Sequence, residues 1–175
     1  MPVNAGLRKG QERLLIGARR GNRLGDIRGS DKMQTISGRC FCGAIGFEIE
    51  QPVVACVTCH CESCRRQCSA PMTAYVGVVD GQWRWTKGRA KVFQSSPQVE
   101  RGFCGDCGTP LSFWSSDLSG MIHFYLACLE GDHGLTPTLH VAGEERVSWL
   151  KLSDGLPVHE GPDYLEAGPP SLPWA

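Results

Sequence analysis

The chain has 175 residues, of which 41% are hydrophobic and 21% charged, and its 18 basic residues balance 18 acidic ones. This size and composition predict one globular domain, and the zero net charge gives no basis for expecting nucleic acid or anionic membrane as a partner. No run of about 18 apolar residues occurs, so no transmembrane helix is predicted. The N-terminus also lacks the apolar stretch of a secretory signal. We therefore expect a cytoplasmic protein whose ten cysteines are reduced and bind metal rather than form disulfides.

The first part of the chain differs in composition from the rest. Residues 1–33 are rich in glycine and arginine, and we predict that they form a disordered extension, because they contain too few apolar residues to build a core. A zinc-binding β domain is predicted over residues 34–160. The tail, residues 161–175, carries four prolines and is predicted to be irregular.

Short runs of β-branched and aromatic residues, separated by Gly, Pro and Asp-Gly signals, predict a mainly β domain. A tight turn at residues 38–43 separates a first run, which follows Met33, from a second at 44–49. Further strands are predicted at 53–58, 74–79, 82–85, 91–94, 98–103, 111–114 and 121–127. Within the domain, only Glu62–Cys68 is predicted to be helical.

Two cysteine pairs are spaced to share one metal ion. Cys104 and Cys107 form a Cys-x2-Cys turn followed by Gly108, and the small glycine lets backbone amides approach the sulfurs. Such a turn supplies two of the four ligands that structural zinc requires, and Cys40 and Cys42 are the best candidates for the other two. A site closed in this way would join segments about 60 residues apart and would strongly constrain a small β domain.

A second cysteine cluster follows the third predicted strand. Cys59, Cys61 and Cys64 lie close enough in the chain for their sulfurs to face one zinc ion. A fourth position left to water or substrate is typical of catalytic zinc. Either Cys56 or Cys68 could instead supply a fourth thiolate and close the site, but we favour the interpretation that both are buried side chains without a metal.

Basic and imidazole side chains surround this second cluster. Arg65 and Arg66 are predicted either to be a solvated pair, or to lower a thiolate pKa or bind an anionic substrate. His60 alternates with two candidate ligands, so we expect it to point away from the metal, as a neighbour of the site or at the surface. His123 and His140 lie in strand-like segments and are predicted to be structural.

Three segments occur in a fixed order along the chain. They are Gly38-x-Cys40-x-Cys42-Gly43, Cys59-His60-Cys61-x2-Cys64-Arg65-Arg66 and Arg101-x-Phe103-Cys104-x2-Cys107-Gly108-Thr109-Pro110-Leu111. This arrangement resembles the glutathione-dependent formaldehyde-activating enzyme family, which includes centromere protein V-type domains. The resemblance covers roughly residues 35–158.

The resemblance implies a mainly β fold of stacked antiparallel sheets held together by zinc, with one short helix near the second zinc site. It implies two zinc ions per chain, with ligands in two sets: Cys40, Cys42, Cys104 and Cys107 for a structural ion, and Cys59, Cys61 and Cys64 for a catalytic ion. It also implies a carbon–sulfur lyase that joins formaldehyde to glutathione. The expected partners are then a small-molecule thiol, such as glutathione, and an aldehyde.

Two other functions fit the same residues. The protein could be a non-enzymatic zinc scaffold or thiol-binding interaction module, or a redox sensor in which metal release lets the clustered cysteines form disulfides. The chain also departs from the family pattern at Cys68 and in the segment 127–133. These departures concern the substrate pocket and leave the zinc ligands unchanged.

Overall fold

The computed structural model of the protein describes residues 34–118 and 120–161. The predicted extension, residues 1–33, and all but the first residue of the predicted tail, 161–175, lie outside this described part. None of the helices within it is long and apolar enough to cross a membrane.

Ten strands and one α-helix form the described part of the chain, so the prediction of a mainly β domain is confirmed. The strands are β1 Thr35–Arg39, β2 Gly46–Glu50, β3 Ala55–Cys59, β4 Thr73–Val79, β5 Trp83–Lys87, β6 Lys91–Ser96, β7 Val99–Phe103, β8 Pro110–Ser115, β9 Met121–Tyr125 and β10 Leu139–Val141. The helix, α1, spans Glu62–Cys68 as predicted. All eight strands for which the sequence predicted a start and an end are present, with bounds that differ by a few residues.

The strands form two sheets, one with three strands in the order β1-β2-β5 and one with seven in the order β10-β3-β4-β9-β8-β7-β6. All strand pairs are antiparallel, as the resemblance implies, except that β10 pairs with β3 in the parallel direction. A parallel pairing is possible here because β10 comes from a distant part of the chain, so no short hairpin forces it to run antiparallel to β3.

The main core lies between the two sheets. Phe47 of β2 stacks on Phe124 of β9, with ring centroids 4.3 Å apart, and both side chains are fully buried. Trp83 and Trp85 of β5 pack edge-on against the Phe124 ring, at 5.4 and 6.0 Å. Aromatic residues from both sheets therefore fill the space between them, and burial of this apolar surface holds the sheets together.

The seven-stranded sheet presents two different faces, because successive side chains of a strand point to opposite sides. Its inner face contributes to the main core Val76, Val78, Ile122 and Phe124. On its outer face, Tyr75 and Tyr125 belong to a second buried cluster, which includes Cys64 of α1. The helix thus packs on the outer face, away from the three-stranded sheet.

The ring of Phe47 occupies the space that a side chain at position 38 would need, and Gly38 leaves it free. The two residues are paired across β1 and β2, and a Cβ at position 38 would overlap the ring atoms. We predict that Gly38→Ala lowers the free energy of unfolding by about 1–3 kcal/mol, since overpacking forces the ring or the strand to move. Denaturant unfolding measures this loss.

The neighbouring exposed residue provides the control, because Ser37→Ala should change the free energy of unfolding by less than about 0.5 kcal/mol. Equal effects of the two substitutions would contradict this account of the hairpin.

Candidate functional site

The first cysteine group joins the β1–β2 turn to the β7–β8 turn. The sulfurs of Cys40, Cys42, Cys104 and Cys107 all lie within 4.8 Å of one another. The Cys40 and Cys42 sulfurs are 3.5 Å apart, and those of Cys42 and Cys104 are 3.8 Å apart. Sulfurs bound tetrahedrally to one zinc ion lie roughly 3.8 Å apart, so this donor set fits a closed zinc site.

A glycine follows the second cysteine in each turn and donates its amide to the carbonyl of the first. The amide of Gly43 donates to the carbonyl of Cys40 at 3.1 Å, and the amide of Gly108 donates to that of Cys104 at 2.9 Å. Both glycines have positive φ angles, 72° and 76°, which residues with a Cβ rarely adopt. These glycines let the chain turn sharply enough to bring each cysteine pair together.

The second cysteine group contains Cys59, Cys61 and Cys64, whose sulfurs also lie within 4.8 Å of one another. Cys59 ends β3, Cys61 caps the N-terminus of α1, and Cys64 lies in the first turn of that helix. The Cys61 sulfur accepts a hydrogen bond from the Cys64 amide at 3.4 Å. Three thiol donors fit a zinc ion that keeps one position open.

Cys56 and Cys68 are outside both sulfur groups. Cys56 lies on the opposite face of β3 from Cys59, and burial raises the pKa of its thiol to about 11. Cys68 is partly buried and packs against the apolar cluster around α1. Both placements agree with the favoured interpretation of these two side chains.

Hydrogen bonds give the three sulfurs unequal acidity. The pKa of Cys64 is lowered to about 2 by hydrogen bonds from the Cys59 and Cys61 thiols and by one of 3.3 Å from the Tyr75 hydroxyl. The interactions with Cys61 and Cys64 raise the pKa of Cys59 instead. These hydrogen bonds therefore favour the thiolate form of Cys64 over that of Cys59.

A cavity of about 670 Å³ opens beside these three sulfurs, between the outer face of the seven-stranded sheet and α1. This volume is within the usual range of small-molecule pockets. The side chains that give the cavity its character are Tyr75, Phe93, Arg101, Phe113, His123 and Arg66, together with the three cysteines.

The two adjacent arginines face different surroundings. Arg66 lines the cavity at its exposed rim and forms an ion pair of 2.7 Å with Glu62. Arg65 donates from Nε to the backbone carbonyl of His60 at 2.8 Å. It lines a separate depression, which Arg66 also borders, and is not among the residues that line the cavity. Of this pair, Arg66 is the one that a ligand in the cavity can reach.

His60 is fully buried rather than at the surface and begins a chain of hydrogen bonds behind the cysteine loop. Its Nε2 lies 2.9 Å from Nδ1 of His140, whose Nε2 lies 3.0 Å from a carboxylate oxygen of Asp154. The carboxylate accepts a hydrogen bond from His140 Nε2–H, so in the neutral ring His140 Nδ1 is the acceptor for His60. This chain ties the segment containing Asp154 to the loop that carries the cysteines.

Sequence reasoning did not assign a role in the cavity to four side chains that line it: Tyr75, Arg101, Phe113 and His123. His123 was predicted to be structural. Burial lowers its pKa to about 4, so the cavity contains a neutral imidazole at neutral pH. The period-two alternation of the strands was the available signal, but it shows only that residues of one strand share a face.

Comparison with known proteins adds three similarities. Residues 35–144 match the family described as glutathione-dependent formaldehyde-activating enzyme. A Schizosaccharomyces pombe protein named as an uncharacterized lyase is 39% identical over 83 residues, which are 46% of this chain and 58% of that protein. A crystal structure of a Rhodobacter sphaeroides protein has a TM-score of 0.48 and 24% identity, covering 58% of this chain and 97% of that one.

Asp154→Ala should destabilise the fold, because it leaves the buried Nε2 of His140 without its acceptor. An unsatisfied buried donor costs about 1–3 kcal/mol, and we expect a loss of this size in the free energy of unfolding. Chemical denaturation measures the loss, and the exposed Asp132→Ala serves as the control. If both variants unfold alike, the hydrogen-bond chain does not stabilise the domain.

Proposed function

The chain belongs to the glutathione-dependent formaldehyde-activating enzyme family, and from this we propose that it is a zinc-dependent carbon–sulfur lyase. It would form or cleave a thiol–aldehyde adduct such as S-hydroxymethylglutathione. The lyase name of the similar S. pombe protein supports an enzyme of this broad type. The chain spans 58% of that protein's length, so the reaction and substrates are part of our proposal.

The observation that carries the proposal is the position of the three-sulfur group. Cys59, Cys61 and Cys64 form part of the cavity wall, so a ligand there can reach the site that they form. We propose that these three residues hold a catalytic zinc ion and that the four-sulfur group holds a structural one. Zinc at the first site would favour the thiolate form of a bound thiol and polarise an aldehyde oxygen.

The reaction itself needs no further cofactor. In adduct formation, the thiol sulfur bonds to the aldehyde carbon, the carbonyl electron pair moves to oxygen, and the thiol proton ends on that oxygen. Cleavage is the reverse. A free thiol has a pKa of about 8.5 and is mostly protonated at neutral pH, so the site must favour its ionised form.

The protein's own side chains orient and shield the reactants. The Tyr75 hydroxyl holds the Cys64 sulfur by the hydrogen bond described above, which fixes one of the three donors. Phe93 and Phe113 contribute apolar surface to the cavity, and this limits the water around the reacting sulfur. In the proposed complex, Arg66 at the exposed rim would meet a carboxylate of a thiol such as glutathione, in exchange for its ion pair with Glu62.

The activity can be measured directly, because formaldehyde and glutathione also combine without an enzyme. We expect catalytic amounts of the zinc-loaded protein to accelerate their exchange in NMR exchange spectroscopy. Cys59→Ser should abolish the acceleration, whereas Cys56→Ala, on the same strand but the opposite face, should retain it. An exchange rate that the parent protein leaves unchanged would sink the enzyme proposal. Continued thiol binding would then favour the binding-module alternative.

Zinc content separates the two proposed metal sites. We expect about two zinc ions per chain in the parent protein by elemental analysis. Cys104→Ser should unfold the domain, because it breaks the site that joins the two sheets. Cys59→Ser should stay folded and lose zinc from the cavity site alone, as circular dichroism and metal analysis can show. Folded Cys104→Ser protein with full zinc content would contradict this assignment.

A further inference from the structure

Arg101 is a charged side chain buried in the wall of the cavity. It is only 4% exposed, and its Nε donates to the Ser95 hydroxyl at 3.2 Å. Its guanidinium lies over the Phe113 ring, 5.2 Å from the centroid. Within the described residues, Nη1 has no hydrogen-bond partner and no carboxylate lies within ion-pair distance of the guanidinium.

An unpaired buried charge is costly, so proteins pair such groups or use them to bind a ligand. Arg101 lines the same cavity as the three cysteines, and the Phe113 ring beneath its guanidinium packs against Tyr75, whose hydroxyl donates to the Cys64 sulfur. This places the guanidinium beside the cysteine group, deep in the cavity. Arg66, by contrast, is exposed at the rim and already paired with Glu62.

From this environment we propose that Arg101 binds an anionic oxygen of the substrate next to the reacting sulfur. The oxygen belongs either to a carboxylate of the thiol or to the aldehyde, whose oxygen gains negative charge as the carbon–sulfur bond forms. The proposal rests on the proposed function. It makes Arg101 the residue that selects oxyanion-bearing substrates.

The neighbouring strands place aromatic residues on both sides of Arg101. In the sheet it stands between Phe93 on β6 and Phe113 on β8, each of which is its direct cross-strand partner. The Phe113 ring lies against the guanidinium, which reduces the water around it and so strengthens its interaction with an anion. The hydrogen bond to Ser95 and the contact with Phe113 restrict the orientation of the planar guanidinium. Less conformational entropy is then lost when Arg101 binds an anion.

Two thiols of similar size provide the test, because mercaptoacetate carries a carboxylate where 2-mercaptoethanol carries a hydroxyl. Calorimetry would measure the binding of each to the zinc-loaded full chain. If Arg101 meets the carboxylate, Arg101→Gln should weaken mercaptoacetate binding about 10- to 100-fold and leave 2-mercaptoethanol within about twofold. Zinc content should not change. Arg84→Gln, on the three-stranded sheet, is the matched control and should affect neither thiol.

Turnover with formaldehyde distinguishes the other source of the oxyanion. If Arg101 meets the aldehyde oxygen, Arg101→Gln should leave the binding of both thiols unchanged and lower kcat at least tenfold with each. If neither binding nor kcat changes, the proposal is overturned. Equal weakening of both thiols accompanied by loss of zinc also overturns it, since Arg101 then only offsets the charge of the sulfurs.

If Arg101→Gln does not fold, Ser95→Ala replaces it in both experiments. Ser95 is exposed, and the loss of its hydrogen bond to Arg101 should reduce mercaptoacetate affinity, or kcat with formaldehyde, about two- to tenfold. No reduction would then count against Arg101. A parent protein that binds mercaptoacetate without accelerating exchange ends the proposed function, and the binding comparison alone then decides the role of Arg101.

Discussion

The sulfurs of Cys40 and Cys42, in the turn after β1, meet those of Cys104 and Cys107, in the turn after β7. Apolar packing between the sheets is strong, but the hydrophobic effect behind it is non-directional. A shared ion at these four sulfurs would lock one turn of each sheet to the other. The outer face of the seven-stranded sheet then remains available for the cavity, because its inner face is already covered.

The cavity site combines elements that have different sources of rigidity. Cys59 is held by the strand ladder, whereas Cys61 and Cys64 are held by the first turn of a short helix. Behind the loop between them, the buried pair of His60 and His140 attaches it to a segment near the end of the described chain. The three sulfurs are therefore oriented from both sides, which is the kind of preorganisation that the proposed reaction would need.

Most of the features that the sequence predicted are local. One long-range prediction was also correct, since Cys40 and Cys42 meet Cys104 and Cys107, and it followed from the number of ligands that structural zinc requires. Short spacings predicted which neighbouring cysteines come together, because only one or two residues separate them and the chain between them has few conformations. The bounds of α1 were also predicted. The parallel pairing of β10 and the position of Arg101 in the cavity wall could not be predicted. Both depend on which distant strands become neighbours, and hydrophobic alternation within one strand does not reveal that. The sequence left open whether His60 lies behind the site or at the surface for the same reason, since its partner His140 lies 80 residues away in the chain.

The alternation of faces in the seven-stranded sheet limits how this protein can change during evolution. In β4, Tyr75 belongs to the cavity and Val76 to the core, and in β9 the same holds for His123 and Phe124. Inserting or deleting one residue within such a strand would exchange the two sets and ruin both. New substrate preferences can therefore arise by point substitution within the strands, while changes in length are confined to the connecting loops.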